Sequence, residues 1–152
     1  MPVSSAWRFK DSIDKNKPFI WILDGHNVLF SLKDVFGCDE NGVPGEDARN
    51  KLIAAMKNMV KDAPQCEVNI FFDGPVYSQE HAATNIKITY SGGEGEHRAD
   101  NAILEIAAYM HKQSPDLMRV LVTDDRDLAK QAAEYKTVSM CLAEFAAIIV
   151  DS

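Results

Sequence analysis

The chain has 152 residues, 46% of them hydrophobic and 26% charged, with a formal net charge of −7. That is one domain's length with enough apolar material for a core, and the acidic balance weighs against a protein that holds a polyanion by bulk charge. An enzyme whose acidic pocket holds cations that meet phosphate stays open. No apolar run approaches the roughly 20 residues of a membrane span, and the N-terminus lacks a signal-peptide core. Cys38, Cys66 and Cys141 are far apart with no C-x-x-C pair, so neither a disulfide framework nor a zinc ribbon is indicated. A cytoplasmic protein is expected.

In chain order, residues 1–17 are polar and mixed in charge, with isolated Trp7, Phe9 and Ile13. They are expected to form an arm, loosely packed or mobile, ahead of a domain at 18–152. A first strand is predicted at about 18–24. Residues 26–45 suit a short helix and an exposed loop, because Gly37, Asn41-Gly42 and Pro44-Gly45 crowd turn signals together. From Glu46 to about Lys61, Leu52, Ile53, Met56, Met59 and Val60 make one apolar stripe at helical spacing. Glu46 and Asp47 sit in its first turn, where the helix dipole favours acids.

A second strand is predicted at about 66–73, then a loop or partial helix at 74–85. Ile86–Tyr90 alternates apolar with polar, which predicts a half-exposed strand towards a sheet edge. Ser91–Gly95 is too glycine-rich for regular structure and leads into a helix at about 98–112, with Ala99, Ile103, Ile106, Ala107 and Met110 facing inward. A strand at 118–123, a short helix to Glu134, a short strand at 136–140 and a helix at about 142–150 complete the chain. Strands alternating with helices predict an α/β fold whose parallel or mostly parallel sheet is covered on both faces.

Three strands end on carboxylates. Phe19–Leu23 runs into Asp24-Gly25, Val68–Phe72 into Asp73-Gly74, and Val120–Thr123 into Asp124-Asp125. Singly, each has a plain explanation: Asp-Gly shapes turns, Asp124 or Asp125 could cap the following helix, and Asp100 suits a helix's first turn. In a parallel sheet, however, strand ends and helix starts share one rim, the edge where open α/β folds place ligands. Asp24, Asp73, Asp100 and Asp125 would then face one small volume. Crowded carboxylates persist when protons or cations neutralise them, and hard ions such as Mg²⁺ or Mn²⁺ take oxygen ligands. Such a site can position a phosphate, activate a water and stabilise a leaving oxygen.

The order and spelling of these stretches resemble the PIN-like nucleases of the NYN type, and among them the YacP-like ribonucleases. The resemblance spans about residues 19–149. Ile22-Leu23-Asp24-Gly25-His26-Asn27 resembles the opening D-G-(Y/H)-N. Phe71-Phe72-Asp73-Gly74 resembles an F-D-G strand end also seen in flap-type 5′ nucleases. Tyr90–Gly93 through Ala99-Asp100-Asn101-Ala102-Ile103 resembles a glycine-rich loop leading into A-D-x-x-I. Val122–Ala129 resembles T-S-D-R-D-L-A, with Asp124 where the family usually has Ser.

The resemblance implies a PIN-like three-layer α/β/α sandwich and a metal-dependent endoribonuclease acting on single-stranded RNA. It implies Asp24, Asp100 and Asp125 as the catalytic metal ligands, with Asp73 and Asp127 as further ligands or their supports. Asn27 would orient a ligand carboxylate, and Asp124 would add charge or cap a helix. Many PIN domains carry a Glu on the helix after the first strand; only Glu46 and Asp47 stand near that region here, and no local motif assigns the role. Arg98 and Arg126, beside these acids, are candidate phosphate contacts. For Arg49 and Lys130 a solvated helix face is the simpler reading. His26, His97 and Tyr77 adjoin the motifs, as rim contacts or as packing.

Such an acidic protein is expected to meet its RNA with help, from the ribosome or another delivering protein. The competing readings are a structure-specific 5′ nuclease on DNA, for which 152 residues leave little room, and a catalytically silent PIN-like RNA-binding module, against which the retained acids argue. A phosphatase on the same edge lacks a D-x-D-x-T/V motif after the first strand.

Overall fold

The computed structural model describes residues 5–92 and 98–150. The elements are α1 (Ser5–Asp14), β1 (Phe19–Asp24), α2 (Gly25–Ser31), α3 (Lys33–Phe36), α4 (Glu46–Val60), β2 (Cys66–Phe72), β3 (Ser78–Ala83), β4 (Ile86–Tyr90), α5 (Arg98–Gln113), β5 (Met118–Val122), α6 (Arg126–Ala133), β6 (Val138–Met140) and α7 (Leu142–Val150). The six strands lie in the order β3-β4-β2-β1-β5-β6. All neighbours are parallel except the antiparallel pair β3–β4. The register places Phe19 beside Cys66 and Met118, and Leu23 beside Ile70 and Val122.

Side-chain alternation divides the core into two layers. Phe19, Trp21 and Leu23 of β1 pack with Val28, Leu52, Met56 and Phe145, so α2, α4 and α7 cover one face. Ile20 and Ile22 pack with Ile103, Leu128 and Ala132, so α5 and α6 cover the other. This is the three-layer α/β/α sandwich with a mostly parallel sheet. The stripe expected on α4 is the buried one: Leu52, Met56, Met59 and Val60 face the sheet. No helix among the described residues is long and apolar enough to cross a membrane.

Four expectations are corrected. The arm is helical at Ser5–Asp14, with Ser12 buried and Ile13 packed on the core. The segment after it is tied to the domain: the Gln65 amide donates to Asn16 Oδ1 at 2.9 Å. The loop or partial helix expected at 74–85 contains strand β3, held by pairing with β4 rather than by burial of its own side chains. That pairing makes β4 the strand next to the edge, and Thr89 is buried along with Ile86 and Ile88 where a half-exposed strand was expected. Residues 26–45 hold two short helices in place of one.

Candidate active site at the carboxyl edge

From the central strand β1 the chain moves to β2 and β4 on one side, then returns through α5 to β5 and β6 on the other. The crevice between the ends of β1 and β5 is therefore the topological switch point, where open α/β sheets take ligands. Asp24 closes β1 there, on the same side as Ile20 and Ile22, facing α5 and α6. Gly25 follows for a steric reason. A Cβ at this position would meet Phe72 Cε1 at 2.5 Å and the Phe71 carbonyl at 2.7 Å, so only glycine lets α2 start this close to β2.

Asp24 is a buried carboxylate with only 6% of its surface exposed. Its pKa is raised from 3.8 to about 6. Desolvation is the largest cause; the charges of Asp100 and Asp125 add to it, against hydrogen bonds from Thr123 and from the Asn27 backbone. The structure thus brings Asp24, Asp100 and Asp125 into one electrostatic neighbourhood at the switch point.

The loop after β5 is built by side-chain bonding. Thr123 Oγ1 donates to Asp24 Oδ2 at 3.1 Å and accepts from the Asp125 amide at 3.1 Å. Asp125 Oδ1 accepts from the Leu128 amide at 3.1 Å, which makes it the N-cap of α6. The Asp124 amide donates to Asn27 Oδ1 at 2.9 Å, and Asp124 Oδ1 accepts from the Leu142 amide at 2.9 Å. Asp124 therefore caps a helix, but it is α7, and Asn27 braces this loop with its side chain while its backbone serves Asp24. Thr123, which stands within a motif and was given no role, is a polar side chain bonded to the Asp24 carboxyl. Its position before paired acids at a strand end was the available signal.

The other candidates stand farther out. Asp73 is exposed, and its Oδ1 accepts from the Ala99 amide at 3.2 Å and from Ser91 Oγ at 3.5 Å, tying the end of β2 to the first turn of α5. Asp127, Arg126 and Lys130 are exposed on α6. Glu46 and Asp47 are exposed in the first turn of α4. Tyr77 is exposed, and its backbone packs against Gly92, whose φ of 69° and lack of Cβ allow the approach. The Arg98 side chain, His97 and most of the glycine-rich loop lie outside the described residues. Cys66 is buried, which pushes its thiol up to about 11, while Cys38 and Cys141 are exposed.

Among the described residues no group of three or more His, Cys, Asp or Glu side chains forms a ready metal cage. The donors nevertheless fit a hard cation in kind. They are carboxylate oxygens, and the field that favours a proton on Asp24 is one that a divalent ion would relieve.

A doubly wound sandwich with acids gathered at its switch point is the architecture of a PIN-like nuclease domain. The chain belongs to the YacP-like NYN domain family, whose model matches residues 21–152, and nuclease is the function that membership carries. A similar solved structure is the crystal structure of Rae1 (YacP) from Bacillus subtilis, a W164L mutant. It is 18% identical, with a TM-score of 0.65, covering 88% of this chain and 76% of that one. No curated protein matches the sequence.

Proposed function

We propose that the protein is a metal-dependent endoribonuclease that hydrolyses phosphodiester bonds of single-stranded RNA, with Mg²⁺ or Mn²⁺ at Asp24, Asp100 and Asp125. The observation that carries this reading is the buried Asp24 carboxyl, held among like charges at the switch point and raised to about pKa 6. A bound ion would supply a water of lowered pKa and neutralise the charge that develops on the leaving 3′ oxygen.

The chain's own part is positioning. Thr123 fixes one Asp24 oxygen through its 3.1 Å bond. The α6 N-cap holds Asp125 by one oxygen, Oδ1, at 3.1 Å. Asp73 steadies the start of α5, two residues before Asp100. Arg126, exposed beside Asp125, and Arg98 beside Asp100 would meet the phosphates flanking the cut. Asp127 would act from outside the ligand set. The net charge of −7 supports delivery of the RNA by the ribosome or another protein.

Labelled single-stranded RNA, single-stranded DNA and a 5′-flap duplex, each incubated with Mn²⁺, Mg²⁺ or EDTA, test the reading. Internal cleavage of RNA that disappears in EDTA and in Asp24→Asn or Asp100→Asn is expected. Full activity in either variant, or in EDTA, would falsify it. Cleavage confined to the flap would move the protein to the DNA class, and binding without cleavage would make it a silent module.

A further inference from the structure

Beside the acidic crevice, the outer side of α2 carries an arrangement that the core does not require. The His26 and Phe30 rings lie one helical turn apart with centroids 4.4 Å from each other at 33°. Phe30 is 39% exposed, His26 is exposed, and Lys33 Nζ stands 5.3 Å from the Phe30 ring centroid. A cavity of about 60 Å³ opens beside them, lined by His26, Leu29, Phe30, Arg49 and Asp73. Among the described residues, neither Lys33 nor Arg49 has a carboxylate within 4.0 Å.

We propose that this patch is a nucleotide subsite: the base next to the scissile phosphate stacks on the His26–Phe30 pair, and its flanking phosphate is held by Arg49 and Lys33. The inference rests on the ribonuclease reading for its substrate and adds where the strand lies. Three observations select a nucleotide. Two exposed aromatic rings already in contact offer a platform that a base would extend, as single-strand binders do. Lys33 and Arg49, with no carboxylate within 4.0 Å among the described residues, outnumber the one acid on the cavity wall, Asp73, in a chain whose net charge is −7, so they can meet a phosphate against the overall trend. The cavity beside His26 is also bordered by Phe72 and Asp73 at the end of β2, so the patch lies at the same carboxyl edge of the sheet that Asp24 closes, and a base there belongs to a nucleotide near the cut. The cavity is too small to enclose a base, so the base lies across its mouth. Lys33, on a flexible stem, can leave the ring for the phosphate.

The test is equilibrium binding of a fluorescent single-stranded oligoribonucleotide to Asp24→Asn protein in EDTA, where binding is read apart from cleavage. His26→Ala and Phe30→Ala should each weaken binding roughly tenfold, whereas His26→Phe, which keeps the stack, should retain it. Arg49→Ala should weaken binding and lower the slope of log K against log salt by about 0.7. Tyr109→Ala, an exposed aromatic on α5 in a different groove, should leave binding unchanged. Unchanged affinity in the His26, Phe30 and Arg49 variants overturns the subsite. So does absence of any binding, or a loss confined to Tyr109→Ala. Cleavage by the unsubstituted protein is scored separately: if it fails while the stacking variants still lose binding, the subsite stands and the nuclease reading falls.

Discussion

Among the described residues two charged side chains are buried, Arg119 near the start of β5 and Asp24 at the end of β1, and their surroundings differ. Arg119, near the start of β5, is 2% exposed and its donors are met on several sides. Nη1 donates to the carbonyls of Ser114 at 3.1 Å and Leu117 at 3.0 Å, Nη2 to Tyr135 at 2.7 Å, and Nε to Thr137 Oγ1 at 3.4 Å. Asp24, at the far end of β1, is buried almost as deeply, but it has carboxylates for neighbours and its pKa rises to about 6. The first charge still has its pKa lowered by burial, but carbonyl and hydroxyl oxygens meet its donors and it holds the connections around β5 together. The second is left short of compensation, which a structural role would not need and which a cation or a proton would relieve.

The largest expected contrast is in activity and stability together. Asp24→Asn should abolish RNA cleavage while making the metal-free fold more stable at pH 8, by on the order of 2–3 kcal/mol from the raised pKa. A variant that is both inactive and destabilised would erase the distinction between the two ends. Arg119→Met should do the reverse. It strands the Ser114, Leu117 and Tyr135 carbonyls and should cost about 3 kcal/mol, read as a lower denaturant midpoint; an unchanged midpoint would show that the cluster is not structural.

The pH dependence sharpens the same point. Because the Asp24 carboxyl binds its proton more tightly folded than unfolded, its contribution to stability is fully present below about pH 3.8. It is lost as pH rises through about 6. The stability gap between Asp24→Asn and the unsubstituted protein in EDTA should therefore open between pH 4 and 7. A gap independent of pH would remove the burial argument.

The smallest effect concerns Asp124. Asp124→Ala should cost about 1 kcal/mol by uncapping α7, and Asp124→Ser should recover most of it, since serine also caps. Equal losses in both would mean that charge, not capping, matters there.

The sequence shows which acids meet at this edge more clearly than how the edge is held together. Asp24, Asp100 and Asp125 are legible because strand ends and helix starts share a rim whenever the sheet is parallel, and the apolar runs that make it parallel are plain in the chain. The packed stripe of α4 is legible for the same periodic reason. Ser78–Ala83 is not, because its Ser-Gln-Glu-His start carries no apolar alternation and the strand exists through backbone pairing to β4. Arg119 is hidden because a charged residue inside a strand has no local pattern announcing three carbonyls from other segments. Asp124 is legible as a cap, but its helix lies 18 residues onward, beyond any local rule.

The two ends of the strand order bear on how the protein behaves in company. A six-stranded sheet offers two rows of unpaired backbone groups to any passing chain. On one side the outer strand is polar, carries Glu80 and breaks register between His81 and Ala83. On the other, β6 is only three residues long. Neither gives a second molecule a long, flat ledge on which to add a strand, so the fold carries its own defence against edge-to-edge aggregation.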